Sequence, residues 1–457
     1  MFAPRFQLTP LVNLPKKSKF GIWLAFVTIA WVVARFLSDF PVPLTLHSGI
    51  NEVKQWAGES GDPTSYYVYA QELLKEGSLN SWHPSCFPPG LAFLNSALIL
   101  FGLDAHWVYW SQTISILFWA TSFFILFLNL CPPLRPATTF LILNTFWLLP
   151  SMRAWAFGVG TLYSESKAHP FFILLMATFI LAFRTRAIRN YVWAGVVMAS
   201  CIYLRVYFER MSLAFSLALL GSAVVGLVYS KGEWRNHWKA FLVPPLLFLA
   251  TYQIVLSPWL YRNSHSEKVN AYSMAPAQMH VTLYHLWEVP GYLPQILGQG
   301  GNTACLTDPG LCAALHKQYG RVIPDGVMKH SAIQTLLRNP ITWYQHRLSN
   351  FHQFWIGEPF QVKNLREFWI FLEGVFAYVL VLIGFGFSLA GLFQNASLLR
   401  DFSWLVLSFY SYNFVVFTVA GMDIDGRHAI PIRLFAFFSV VCFLALRKET
   451  KKTQSST

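Results

Sequence analysis

Charged side chains that interrupt long apolar runs are the residues of this sequence best suited to chemistry. The first is Asp62, in the polar stretch Gly58–Gly90 between two apolar segments. A carboxylate in such a place suits a general base, which removes the proton from an attacking hydroxyl group. Because Pro63 follows it, Asp62 also suits the N-cap of a helix, and the residue types alone leave both roles open.

Further ionisable residues recur where later apolar segments end. They are Glu165, Arg205, Glu209, Arg210, Arg262, Arg427 and His428. Ionisable groups at the mouth of a membrane bundle often mark a functional site. Each residue taken alone also fits a helix that ends at the lipid headgroups, but several of them on one side of a membrane indicate a shared polar site.

The composition indicates which elements must position these residues. Of the 457 residues, 55% are hydrophobic, 17% are aromatic and 12% are charged, whereas soluble domains carry roughly twice that charged fraction. Apolar runs of roughly 15–25 residues recur and are long enough to cross a bilayer as helices. The sequence therefore predicts an all-α polytopic membrane protein. Its net charge of +13 fits basic cytoplasmic loops and anionic lipid or phosphate partners, and we expect no nucleic-acid partner.

Basic clusters predict the orientation of the chain. Lys16, Lys17 and Lys19 precede the apolar run Phe20–Leu37, which is long for a signal peptide, so we expect an uncleaved span and a cytoplasmic N-terminus. The arginines between 184 and 189 predict a second cytoplasmic segment. Five apolar segments before that cluster would place it outside. Either one of the short segments 90–103, 138–152 and 170–183 does not cross, or the segments are wrongly divided.

The polar stretches outside the predicted spans contain amphipathic patterns. After Asp62, apolar side chains recur at helical spacing, at Tyr66, Tyr67, Ala70, Leu73 and Leu74. This pattern predicts an interfacial helix with its aromatic face toward the membrane. Between Leu260 and Glu367, turn signals and the amphipathic stretch Val327–Phe354 predict a few helices over the outer face. Cys305 and Cys312 in this loop either form a disulfide or remain thiols, since spacing does not fix their geometry.

Several short motifs, taken in order, resemble the GT-C class of integral-membrane glycosyltransferases. After Asp62 and its helix come SWHPSCFPPGLAFL, SPWLYRN (Ser257–Asn263), RNPITWYQHRL (Arg338–Leu348) and DGRHAIPIR near the C-terminus. The chain is most similar to the bacterial branch that includes aminoarabinose transferase and relatives of the protein O-mannosyltransferases. The resemblance spans nearly the whole chain through short, degenerate motifs.

The resemblance implies a GT-C-like helical bundle of about 10–12 spans with amphipathic helices on the outer face. It implies transfer of a sugar from a polyprenyl-phosphate carrier to a glycan, lipid or protein acceptor at the membrane, with inversion and with Asp62 as the base. Arginines bind the carrier phosphate in this class, and the matching residues here are Arg262 and Arg427. We expect Arg205 and His428 to assist them.

Three further residues are expected to contact the substrates: Glu165, Glu209 and Tyr66. Many relatives carry a second acid soon after the first. This sequence offers Glu59, Glu72 or Glu76 without a clear match, which leaves the need for a divalent metal open.

The same resemblance implies a bacterial plasma (inner) membrane, with the active site on the outer, periplasmic side. We expect a catalytic membrane module over 1–258 that includes the first outer loop at 38–89, an outer loop region over 259–367, and C-terminal spans over 368–457. The alternatives are a transporter or lipid flippase, or a non-catalytic partner in envelope assembly. Transporters usually show repeated halves, and no internal repeat is seen in this sequence.

Overall fold

The structure is a computed structural model that describes residues 15–37, 62–76, 88–131, 134–157, 163–229, 234–265, 273, 287, 303–320, 323–347, 365–394, 397–418 and 430–455. All regular secondary structure within these residues is helical, which confirms the predicted all-α class. Six of the described helices are long and apolar enough to cross a membrane. The chain is therefore an integral membrane protein, as its composition predicts.

The helices are named here in chain order. They are α1 (Lys16–Val32, continued by a π-helical turn over Val33–Leu37), α2 (Asp62–Glu76), α3 (Gly90–Leu100), α4 (Trp107–Leu130), α5 (Pro136–Thr145), α6 (Pro150–Phe157), α7 (Glu165–Thr185), α8 (Ile188–Leu204), α9 (Tyr207–Tyr229), α10 (Trp234–His265), α11 (Thr303–Thr307), α12 (Pro309–Tyr319), α13 (Asp325–Arg338), α14 (Leu365–Leu392), α15 (Ser397–Thr418) and α16 (Ile430–Ser455).

Contacts between α1 and α4 define the two ends of the bundle. The Trp23 indole N–H donates to Thr121 Oγ1 at 3.2 Å, and the Arg35 guanidinium lies 5.0 Å from the centre of the Tyr109 ring. The two helices therefore run antiparallel. We call the end that contains Lys16 the Lys16 end and the opposite one the Trp107 end.

The bundle is built from passages that alternate between these two ends. In the described residues they are made by α1, α4, α5 with α6, α7, α8, α9, α10, α14, α15 and α16. At the Lys16 end, Arg184 pairs with Glu449 at 2.6 Å and Arg186 pairs with Asp401. The first pair joins α7 to α16, and the second joins the turn after α7 to α15. The arginine cluster after α7 thus lies at the same end as the N-terminal lysines, as the charge pattern predicts.

Helix α3 explains why counting five predicted spans placed the arginine cluster at 184–189 on the wrong side of the membrane. Its 11 residues extend about 16 Å, roughly half of a bilayer's apolar core. A β-carbon at Gly90 would lie 2.5 Å from the carbonyl oxygen of Tyr203 at the end of α8. At the other end of α3, Leu98 packs with Trp107 at the start of α4. The segment 90–103 therefore begins and ends at the Trp107 end, and it is the one that does not cross.

Helix α7 lies at the centre of the bundle, and most of its side chains are buried. It packs against α4, α8 and α15. The Phe172 ring lies 5.6 Å from the rings of both Phe409 and Phe435. Because aromatic rings bury large areas and stack with defined geometry, this cluster fixes α15 and α16 against α7.

The described part of the loop between α10 and α14 has a hydrophobic core of its own. Trp287, Met328 and Trp343 are fully buried in it. Cys305 and Cys312 are joined in a disulfide with their Cα atoms 5.0 Å apart. Asp308 caps α12, since its Oδ1 accepts the Leu311 N–H at 3.0 Å. The amphipathic stretch predicted over Val327–Phe354 is helical in α13 and again over 340–347, and its residues after 347 lie outside the described ones.

Close packing of α8 on α10 depends on a glycine. A β-carbon at Gly195 would lie 2.7 Å from Cβ of Thr251 and 2.9 Å from the carbonyl oxygen of Phe248. Real β-carbons do not approach other heavy atoms so closely, so the two helix backbones can meet here only without a side chain.

We predict that Gly195→Ala lowers the thermal unfolding midpoint of the detergent-solubilised protein, because α8 and α10 must separate to admit the methyl group. Overpacking of this kind costs about 1–3 kcal/mol. The matched control is Gly386→Ala in α14, where nothing lies within 4 Å of the added carbon. Its midpoint should stay equal or rise, since alanine is the better helix former. Equal midpoints for both variants would contradict the prediction.

Candidate active site at the Trp107 end

Helix α2 packs against α3 and the start of α4. Ser96 Oγ donates to the carbonyl oxygen of Ala70 at 3.2 Å, and the Tyr67 ring meets the Trp107 ring edge-on at 5.9 Å. The Tyr67 hydroxyl donates to Asp104 Oδ2 at 3.3 Å. Burial, with Asp104 beside it, raises the pKa of Tyr67 to about 12, so the phenol stays protonated at neutral pH.

The aromatic face of α2 differs from its prediction. Tyr66, Tyr67 and Tyr69 are all buried, and they are covered by protein rather than by lipid. Hydrophobic periodicity identifies an apolar face but not the surface that covers it. The helix itself and its start at Asp62 agree with the pattern.

Asp62 is the first residue of α2, and its side chain lies outside the described residues. Positions 62, 66 and 69 are spaced by four and three residues, so they share one face of the helix. Tyr66 and Tyr69 on that face are each only 1% exposed. The helix register therefore assigns position 62 to the same helix face as these two buried tyrosines.

Glu165 at the start of α7 is buried and forms an ion pair with the partly buried Arg205, the residue after α8. Arg205 Nη2 lies 3.0 Å from Glu165 Oε1, and the Glu165 side chain is only 2% exposed. The Ser164 hydroxyl donates to the other carboxylate oxygen at 3.2 Å. The structure thus brings together two residues that the sequence places 40 positions apart.

A second chain of polar contacts links α9 to the end of α10. Ser273 Oγ donates to Glu209 Oε2 at 3.1 Å, and Asn263 Nδ2 donates to the Ser273 carbonyl oxygen at 2.7 Å. Arg262 Nη1 in turn donates to Asn263 Oδ1 at 2.6 Å. Glu209 lies in the first turn of α9, four residues after Arg205. The predicted residues thus form two polar clusters at the Trp107 end, Glu165 with Arg205 in one and Glu209 with Arg262 in the other.

Aromatic side chains surround the Arg262 guanidinium. Its carbon lies 4.9 Å from the centre of the Trp259 ring, and the Trp259 ring meets Phe93 of α3 edge-on at 6.2 Å. Arg262 also interacts electrostatically with Tyr69 of α2. Burial raises the pKa of Tyr69, and the positive charge of Arg262 opposes this rise. Tyr69 therefore stays neutral, and its phenol does not cancel the charge of Arg262.

Two buried polar atoms of α2, one in Tyr69 beside this arginine and one in the residue a turn later, lack hydrogen-bond partners within the described part of the chain. They are the hydroxyl of Tyr69 and Oε2 of Glu72. Glu72 lies one turn after Tyr69 and interacts with it electrostatically. Unsatisfied buried polar atoms are uncommon in proteins, and at a functional site they are explained by a bound ligand or water. The arrangement offers a cation, a hydroxyl group and a carboxylate to a polar ligand.

The sequence analysis missed Lys167 and His169 on α7. Both are buried, at 0% and 1% exposure, and Lys167 Nζ donates to Ser111 Oγ of α4 at 2.7 Å. His169 Nδ1 has no hydrogen-bond partner among the described residues. The signal was the polar run SESKAH at the start of an apolar segment. Glu165 and His169 are four residues apart and share a helix face.

A neighbouring polar cluster holds the start of α16. Glu373 of α14 is buried and accepts the Ser151 N–H at 2.8 Å. Arg433 Nη1 lies 3.9 Å from Glu373 Oε1. Arg433 belongs to the DGRHAIPIR motif, and its pairing places this part of the motif at the Trp107 end. Arg427 and His428 of the same motif lie outside the described residues, so their predicted roles stay predictions.

Atoms able to ligate a metal come together, within the described residues, at Cys305, Cys312 and His316. The disulfide occupies both sulfur atoms of this group, and His316 Nε2 lies 2.7 Å from the Trp287 carbonyl oxygen. The cysteines therefore hold the loop core together and are not offered as thiolate ligands.

Comparisons with known proteins find no matching family model and no matching curated sequence. Among solved structures, the chain is similar to the archaeal oligosaccharyltransferase AglB from Archaeoglobus fulgidus, solved in complex with an inhibitory peptide and a dolichol-phosphate. The TM-score is 0.49 with 13% identity, and the match covers 96% of this chain and 51% of that one. This chain thus spans about half the length of AglB. A likeness at this level assigns neither a family nor an activity.

We predict that Glu165→Gln destabilises the solubilised protein by about 1.5–3 kcal/mol, because it removes the charged hydrogen-bond partner of the partly buried Arg205. The double variant Glu165→Gln with Arg205→Met should recover much of this loss. Chemical unfolding followed by tryptophan fluorescence measures both. The matched control is the pair of single and double variants at Arg184 and Glu449, at the Lys16 end. If the double variant is as unstable as the sum of its single variants, the two residues are not coupled.

Proposed function

We propose that the protein is a GT-C-class glycosyltransferase that moves a sugar from a polyprenyl-phosphate carrier to an acceptor hydroxyl group. The observation that supports it best is a pair of polar clusters at the Trp107 end, where α2 also packs. One is the Glu165–Arg205 ion pair, and the other runs from Glu209 through Ser273 and Asn263 to Arg262. The motif order described above and the all-helical membrane architecture are consistent with this class.

In the proposed reaction Asp62 acts as the general base. Asp62 takes the proton from the acceptor hydroxyl as its oxygen forms a bond to the anomeric carbon of the sugar. The bond from that carbon to the phosphate oxygen breaks, and the carrier phosphate leaves with the electron pair. Attack opposite the leaving group inverts the configuration of the sugar. A positioned base contributes about 10²–10⁴-fold to the rate of such a step.

The departing phosphate needs positive charge, and Arg262 is the arginine best placed to supply it. Its guanidinium lies over the Trp259 ring and, among the described residues, donates a hydrogen bond to Asn263. A guanidinium offers a planar fork of donors that matches phosphate oxygens. Arg205 is already paired with Glu165. We therefore propose that it adds to the positive electrostatic potential of the site and is not the main contact of the phosphate. Arg427 and His428 are proposed to complete the phosphate site.

Substrate contacts are proposed for Glu165, Glu209 and Tyr66. Glu209 accepts a hydrogen bond from the loop residue Ser273, and we propose that a sugar or acceptor hydroxyl binds beside it. The structure and the motifs leave a divalent metal as an open part of the proposal. The acceptor class, whether glycan, lipid or protein, is also left open.

The charge distribution supports a periplasmic site in a bacterial plasma membrane. Lys16, Lys17 and Lys19 begin α1 at the Lys16 end, and Arg184 and Arg186 lie at the same end. Basic residues favour the cytoplasmic side of a membrane. We therefore propose that the Lys16 end is cytoplasmic and that the Trp107 end faces the periplasm.

We predict that Asp62→Asn leaves expression and the unfolding midpoint intact but abolishes sugar transfer, since the amide cannot accept the proton. The assay uses protein in proteoliposomes without an ion gradient, with radiolabelled undecaprenyl-phosphate mannose and aminoarabinose as donors. The matched control is Asp104→Asn, which keeps an acceptor for the Tyr67 hydroxyl and should retain transfer. Full activity of the Asp62 variant would reject the assignment of the base. Donor movement without transfer to an acceptor would favour a flippase.

We predict that Arg262→Ala raises the donor concentration needed for half-maximal transfer by about tenfold or more, because a hydrogen bond to a charged group contributes about 1.5–3 kcal/mol. Arg262→Lys should recover part of the loss by keeping the charge without the fork. The control is Arg135→Ala, an exposed arginine just before α5. An unchanged donor requirement in the alanine variant would contradict a phosphate role for Arg262.

A further inference from the structure

The loop between α10 and α14 contains a helical stretch with an unusual charge pattern. From Asp325 to Arg347 the sequence has the basic residues Lys329, Arg338 and Arg347 and a single acid, Asp325, at the start of the helix. The first part of this stretch is α13, and a second helical part covers 340–347. A basic amphipathic helix of this kind is typical of segments that lie on a membrane surface.

One face of this stretch builds the loop core. Met328, Ala332 and Thr335 of α13 are buried, and Trp343 is buried after the turn. The Trp343 N–H donates to the Asn339 carbonyl oxygen at 3.0 Å, which starts the second helical part directly after α13. The position of both parts is thus fixed by side chains that point into protein.

The opposite face is apolar as well, and it is exposed. Ile333 is 48% exposed, Leu337 and Ile341 are each 74% exposed, and Tyr344 is 36% exposed. Ile333 and Leu337 lie four residues apart on one face of α13, and Ile341 and Tyr344 lie three residues apart on the second helical part, which begins after a break at Asn339. We call these four exposed side chains the stripe. In water such a stripe is unfavourable, and exposed apolar patches mark sites of contact with protein or membrane.

The chain that carries the stripe is tied to the bilayer on both sides. The loop leaves α10 at His265 and enters α14 at Leu365, and both of these helices are candidate membrane spans. From Arg347 to Leu365 the chain reaches at most about 60 Å. The basic side chains Lys329 and Arg338 are exposed beside the stripe, where they suit anionic headgroups while the apolar side chains suit acyl chains.

We propose that Ile333, Leu337 and Ile341 insert into the lipid leaflet at the Trp107 end, so that α13 and the helical residues after it form an in-plane membrane anchor for the loop. The partner is the lipid surface itself, with its anionic headgroups next to Lys329 and Arg338. This inference does not depend on the proposed glycosyl transfer.

The test is a spin-label accessibility measurement on the full-length protein in nanodiscs of phosphatidylcholine and phosphatidylglycerol. Leu337→Cys carries the label in a background in which Cys86, Cys131, Cys201 and Cys442 are replaced by alanine and the disulfide is kept. The control is Gln318→Cys on α12, an exposed polar position of the same loop. The label at 337 should be relaxed more by molecular oxygen than by a water-soluble nickel complex, and the label at 318 should show the reverse order.

Two outcomes would overturn the anchor. A label at 337 that the nickel complex reaches as readily as it reaches 318 would place the stripe in water. A label shielded from both reagents would show that protein covers it, either residues 348–364 of this chain or a second copy. Ile341→Cys provides an independent second site, so that a folding defect in one variant does not decide the result.

Discussion

The ion pair between Glu165 and Arg205 is the interaction on which the Trp107 end of this bundle depends. A charge removed from water costs several kcal/mol unless a partner of opposite charge lies close by. Glu165 begins the most buried helix, and Arg205 follows the end of its neighbour, so their pairing fixes where α7 and α8 meet. The turn into α9 starts from this point, which sets the position of Glu209 and of its contact with Ser273.

The failure of α3 to cross has a consequence for the same region. Both ends of α3 lie at the Trp107 end. The helix α2, which packs on α3, is therefore also held at the Trp107 end and not on the opposite side of the membrane. Gly90 lets α3 approach the end of α8 closely, and Phe93 packs against Trp259. These contacts bring the Tyr69 face of α2 next to Arg262. A short apolar helix thus brings α2, which begins at Asp62, close to an arginine 200 positions later in the sequence.

The membrane architecture and the sites of the charged residues could be predicted from the sequence, because both follow from apolar length and from the cost of charge in lipid. Clustered lysines and arginines predicted which ends lie together. The sequence did not reveal that segment 90–103 stays on one side, since its apolar composition resembles that of a span. Nor did it reveal that the tyrosines of α2 face protein, because a helical period is the same against lipid and protein.

The buried polar residues Lys167, His169 and Glu373 were missed for a related reason. Lys167 and His169 belong to the polar run SESKAH at the start of an apolar segment, whereas Glu373 stands alone within one. Neither pattern reveals which residue the polar group contacts. Its partner comes from a distant segment, as Ser111 does for Lys167 and Ser151 does for Glu373. Pairings of this kind depend on which helices are neighbours, and hydrophobic periodicity carries no information about that choice.

The most direct measurement is a cryo-electron microscopy structure of the full chain in nanodiscs with bound undecaprenyl phosphate. If a single phosphate site exists at the Trp107 end, the phosphate will lie within hydrogen-bond distance of Arg262, and the Asp62 carboxylate will face the same cavity. A phosphate bound at the Lys16 end, or an Asp62 carboxylate in bulk water away from any arginine, would contradict a shared acid and guanidinium site.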